Sequence, residues 1–114
     1  MKIINTTKNM ILADNATMAQ TVLTRLKGLL FRKELKNGEA LIIEPCNSIH
    51  TFFMRFPIDA IFIDSNHKIV KIYKVIKPFR ATPVYFKSKL VIELPAATVE
   101  VTNTVESDIL SIEP

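Results

Sequence analysis

From Ala40 onward the chain is a succession of short apolar runs, most of them closed by a proline. "ALIIE" stops at Pro45, "SIHTFFMRF" at Pro57, "KIVKIYKVI" shortly before Pro78, and "KLVIEL" at Pro95. Proline has no N–H to give to a sheet ladder, so it ends a strand or confines it to an edge. Short runs rich in Ile, Val, Phe and Tyr between such breaks read as strands. "IDAIFI" (58–63) and "KIVKIYKVI" (68–76) flank Asp64–His67, a hairpin turn in which Asn66 is expected to take the left-handed conformation. "DILSI" (108–112) reads as a last strand, and "AATVEVTN" fits either a helical turn or a strand. At the other end Lys2–Asn9 reads as a first strand, and "MIL" contributes to a second.

One segment has a different period. Ala19, Val22, Leu23, Leu26, Leu29 and Leu30 follow the i, i+3, i+4, i+7 spacing of an amphipathic helix. Asp14 or Asn15 is placed to cap it by accepting from free backbone N–H groups. Gly28 marks a close approach or the start of the helix's end, because glycine within a helix costs about 1 kcal/mol against alanine. The expected fold is mainly β (α+β). It is a small antiparallel β-barrel or sandwich of about seven short strands with one amphipathic helix packed on it. The whole chain, 1–114, reads as a single domain, long enough to bury roughly two thirds of its unfolded surface.

A single cysteine allows no internal disulfide, and no apolar run is long enough to span a bilayer. A cytoplasmic location is the expectation, and a chain trimmed of an export signal would read the same. The net charge of +4 is uneven. Between Ser65 and Ile92 there is no acid and there are seven basic residues, which leaves −3 for the rest. With Tyr73, Phe79, Tyr85 and Phe86 interleaved, Lys68–Lys89 fits a single-stranded nucleic-acid surface. The simpler account is solvated lysines that protect an edge strand, since residues three apart alternate faces.

The densest chemistry lies in "PCNSIHTFFMRFPIDAIFID" (45–64). Cys46, His50 and Met54 are soft metal-ligand types four apart. On a strand that spacing separates neighbours by roughly 13 Å, too far for one metal to take two. No metal site and no cofactor is therefore expected. Cys46 as a nucleophile with His50 as base needs a lowered thiol pKa and contact between the two. Cys46 and Met54 as core residues, with His50 hydrogen-bonded, is the plainer account. Asp59, set among apolar residues, needs a partner if buried, and Arg55 is near, with Arg25, Arg32 and Arg80 farther away. Glu93, on a strand within "VIELP", is a plausible polar group for a ligand or for acid–base work.

The order of "TRLKGLLFRKEL" (24–35), "CNSIHTFFMRFPIDAIFID" (46–64), "KIVKI" (68–72) and "VIELPA" (91–96) closely resembles domain-of-unknown-function family 192, also called uncharacterised protein family 0127. The resemblance covers nearly the whole chain. It implies a bacterial or archaeal, compact, mainly-β domain with one helix and no established reaction. The matching positions are Arg25, Gly28, Leu29 and Arg32, then His50, Thr51, Phe53, Met54, Pro57, Asp59, Phe62 and Asp64, and last Glu93, Leu94 and Pro95. This chain departs from the family pattern where glycine is usual. It has Ala97 after the "ELPA" motif, Ser107 before Asp108, and Asn66-His67 in the hairpin.

The first functional expectation is a small binding or accessory domain. Its pocket between helix and barrel, near Arg25, Arg32, His50, Arg55, Asp59 and Glu93, would take a small anionic or polar ligand or a partner segment. The alternatives are an acid–base enzyme using Asp59, Glu93 and His50, and nucleic-acid binding through Lys68–Lys89.

Overall fold

The computed structural model describes residues 1–30 and 32–114. Phe31, within the 24–35 motif, lies outside the described residues. In chain order the elements are β1 (Lys2–Asn5), β2 (Met10–Ala13), β3 (Asn15–Ala19), α1 (Val22–Lys27), β4 (Glu39–Ile43), β5 (Ile58–Ile63), β6 (Ile69–Ile76), β7 (Leu90–Pro95), α2 (Thr98–Val101) and β8 (Leu110–Glu113). They form a three-stranded sheet, β2-β1-β8, and a five-stranded sheet, β3-β4-β7-β5-β6. The two do not close into a barrel, so the mainly-β expectation resolves as a sandwich-like α+β fold. All pairings are antiparallel except β3 with β4.

The five-stranded sheet is apolar on both faces. Directly opposed residues of neighbouring strands share a face. Ile42, Ile92 and Ile61 line up across β4, β7 and β5 and pack with Ile3, Leu12 and Leu110 of the smaller sheet. One residue along, Leu41, Glu93 and Ala60 line up on the other face. There Ala60, Phe62, Ile58 and Val91 pack with Leu29, Ile49 and Met54, which come from irregular segments. β5 and β7 are buried at every position. Fully burying one such Ile, Leu or Phe side chain contributes roughly 1.5–3 kcal/mol, so both coverings are well supported.

Several expectations are corrected. Ser48–Phe56 is not a strand: among the described residues its only ladder contact is an isolated bridge from His50 to Ala81. Hydrogen bonding explains this. Thr51, fully buried, donates its hydroxyl to Lys77 O (2.6 Å) and accepts from Arg80 N (2.9 Å), while Thr51 N donates to Arg80 O (2.8 Å). The segment is thus tied to a second loop rather than to the sheet. The apolar stripe does not form one helix. Ala19 belongs to β3, α1 has six residues, and Gly28 (φ 47) turns the chain before Leu29. Thr21, not Asp14 or Asn15, is the N-cap, in a capping box with Thr24. None of the α1 residues is buried, so the helix lies over the domain without embedding its leucines. "AATVEVTN" contains a helical turn. In the β5–β6 turn His67 (φ 61), not Asn66, is left-handed, and Asp64 Oδ1 accepts from Asn66 N and Lys68 N.

An apolar cleft with a buried carboxyl at its floor

The irregular segment 44–54 passes beside α1 and leaves a cleft of about 320 Å³ between them. Val22, Leu26, Leu29, Ile49, Phe52 and Met54 supply its apolar lining, and Glu93 comes up from β7 beneath. Arg25 and His50 line it too, as does Cys46. Sheet pleating places Glu93 there. It shares its face with Leu41 and Ala60, the face that α1 and this segment cover.

Glu93 is only 3% exposed. No side-chain or backbone donor reaches its carboxyl among the described residues, and burial pushes its pKa up to about 7. Arg25 donates Nη1 to Pro45 O (3.1 Å), while its Nε is buried without a hydrogen-bond partner among the described residues. Cys46 lies within the field of both groups. Its thiol pKa is raised, chiefly by burial and also by Glu93, against lowering by the Ser48 backbone and by Arg25, and the thiol donates to Ser48 O (3.2 Å). The sulfur is therefore held as a thiol, which is the wrong form for a nucleophile. His50 is exposed, stacks on Phe52 with ring centroids 5.1 Å apart, and accepts from Phe52 N at Nδ1 (3.3 Å).

Of the six residues singled out by sequence, the structure brings Arg25, His50 and Glu93 to this cleft and places the others elsewhere. Asp59 pairs in register with Leu94, so it points to the opposite face of the sheet from Glu93. There, fully buried, it accepts from Val75 N (2.8 Å), Val99 N (2.8 Å) and Ala97 N (3.3 Å). Its partners are backbone amides and not Arg55, which is exposed. Arg32 pairs with Glu39 at 3.2 Å near the turn before β4. Asp59 and Glu93, joined in one acid–base expectation, are separated by the sheet itself.

Cys46 and Met54, read from sequence as core, do pack in the apolar cluster of this face, and they also line the cleft alongside His50 because the segment that carries them loops instead of extending. Among the described residues no three His, Cys, Asp or Glu side chains are grouped as a metal would require. Two of the basic-segment lysines have acidic neighbours, Lys74 with Glu100 at 3.0 Å and Lys71 with Glu106 at 3.9 Å. Among the described residues no helix is long and apolar enough to cross a membrane.

The fold and site together define a two-sheet α+β domain with an open apolar cleft and a buried carboxyl at its base. The chain belongs to the DUF192 family, whose model, described as "Uncharacterized ACR", matches residues 3–112. A UPF0127 protein of Pyrococcus horikoshii is 33% identical over 98 residues, covering 82% of this chain and 83% of the relative. A UPF0127 protein of Thermococcus kodakarensis is 29% identical over 116 residues, covering 98% of this chain and 73% of the relative. A crystal structure of a protein of unknown function from Novosphingobium aromaticivorans shares the fold, with a TM-score of 0.83 at 19% identity, over 97% of this chain and 82% of that one. The family is one of unknown function.

Proposed function

We propose that the domain is a binding module whose cleft takes a small ligand, or a segment of a partner chain, with an apolar body and an amide-like polar head. One observation carries this reading: Arg25 Nε lines the cleft, buried without a hydrogen-bond partner among the described residues, beside Glu93, which is 3% exposed and whose pKa burial alone pushes up. A buried polar group without a partner costs about 1–3 kcal/mol, more when charged. A ligand that offers an acceptor to Arg25 and a donor to Glu93 removes that cost, and the apolar walls hold the rest of it. Few polar groups set in an apolar cavity is the common construction of small-molecule sites. Asp59, fully used by backbone amides on the other face, takes no part.

The test is a titration of the isotopically labelled protein with N-acetyl-leucinamide, followed by amide chemical shifts. Shifts should cluster at Cys46, Ile49 and Glu93 and vanish in Arg25→Met with Glu93→Leu. Shifts scattered over the surface, or unchanged in the double variant, would refute the reading.

A further inference from the structure

The layer that covers the cleft face is markedly uneven in both polarity and charge. On α1, Leu23 is 79% and Leu26 71% exposed, with Val22 beside them. Leu26 and Phe52 both line the cleft. Next to Phe52 stands Phe53, 72% exposed, whose ring meets Phe79 edge-on at 5.4 Å between centroids. Phe53 and Phe79 have φ of 63° and 62°. A bulky side chain holds that conformation against steric strain. Two strained positions thus present aromatic rings to solvent instead of to the core.

Charge follows the same layer. Residues 20–37, 44–57 and 77–89 hold ten basic and two acidic side chains, net +8, which leaves −4 for the rest of a chain of net +4. Segments 44–57 and 77–89 are joined by the Thr51 bonds and by Ser88 Oγ, which donates to Cys46 O at 3.0 Å, and 20–37 is tied to them by Arg25 Nη1, which donates to Pro45 O.

We infer that this face docks on an anionic lipid surface. Leu23, Leu26, Phe53 and Phe79 enter the interface, and the surrounding lysines and arginines lie against the headgroups. Apolar side chains within a basic surround are what peripheral membrane binding requires: burial supplies part of the affinity, and attraction to anionic lipid supplies the rest. A second copy of this chain fits less well, because a two-fold contact would set +8 against +8. Nucleic acid would match the charge but leave the α1 leucines uncovered. Of the four side chains that enter the interface, Leu26 also lines the cleft, whereas Leu23, Phe53 and Phe79 lie outside it.

The experiment is co-sedimentation of the full chain with vesicles. The protein should pellet with phosphatidylcholine vesicles containing phosphatidylglycerol and stay in solution with pure phosphatidylcholine. Raising the salt should weaken partition by at least about tenfold, since exposed charges are screened. The chain has no Trp, so Phe53→Trp gives a lone reporter whose emission should shift to the blue on anionic vesicles. Leu23→Glu with Phe53→Glu, both outside the cleft lining, should lose at least about tenfold in partition while the circular dichroism spectrum is kept. If that pair disturbs the fold, charge reversal at the exposed Lys77 and Lys87 provides the same readout. Failure to pellet with anionic vesicles would overturn the inference. So would partition indifferent to these variants, displacement from vesicles by a single-stranded oligonucleotide, or self-association through this face at sedimentation equilibrium.

Discussion

Replacing Glu93 by Gln should stabilise the free protein, and only above acidic pH. The Glu93 carboxyl has its pKa raised from 4.5 to about 7 by burial. Below about pH 4.5 it is protonated in both folded and unfolded chains, and glutamine is a fair mimic of it. As pH rises through the window from 4.5 to about 7 the unfolded chain releases this proton first. The unfolded state then binds fewer protons than the folded one, so stability falls with pH. Two and a half pH units at 1.36 kcal/mol each come to roughly 3 kcal/mol, fully lost once pH exceeds the folded value. Other titrating groups contribute equally to both proteins, so the difference between them isolates Glu93. Urea unfolding followed by circular dichroism should show matched stabilities near pH 4.5, with the variant ahead by about 2–3 kcal/mol near pH 8. A difference that does not change with pH would refute the idea of an unpaired buried carboxyl. A variant less stable at high pH would show that Glu93 has a partner.

The other expectations concern the backbone and the far face of the sheet. Asp59→Ala leaves three amides, from Val75, Ala97 and Val99, without an acceptor, and should cost about 3 kcal/mol or more in urea unfolding while cleft titrations remain unchanged once the variant is folded. Ala97→Gly, at φ 77, should raise stability by roughly 0.5–1 kcal/mol, measured by the same denaturation.

Strand identity was legible in sequence wherever apolar runs met proline or a turn: "IDAIFI" matches β5 residue for residue, and "KLVIEL" differs from β7 by one position at each end. Misreadings arose where tertiary bonding overrode local preference. Phe52, Phe53 and Phe56 favour a strand locally, but Thr51 commits that segment to the 77–82 loop. The helical stripe over 19–30 is real as spacing, yet Gly28 breaks its geometry and β3 takes its first residue. Of the site, the residue types were visible and their grouping was not. Asp59 and Glu93 look alike in sequence, each an acid in an apolar strand. Only the register of β5 against β7 reveals that one faces a sealed core with donors waiting and the other an open cleft without them.

The three places where the family resemblance leads one to expect glycine, His67, Ala97 and Ser107, all have left-handed backbone, at φ 61, 77 and 77. The backbone there takes the conformation that glycine adopts most easily, although the side chains resist it. Each such residue raises the energy of the folded state by steric crowding, but it also narrows the range of conformations open to the unfolded chain. The first effect is enthalpic and nearly constant with temperature, whereas the second grows in proportion to it. A glycine at any of the three sites should therefore help most in the cold and progressively less on warming, so that this glycine-poor chain is better matched to high temperature than a comparison at room temperature would suggest.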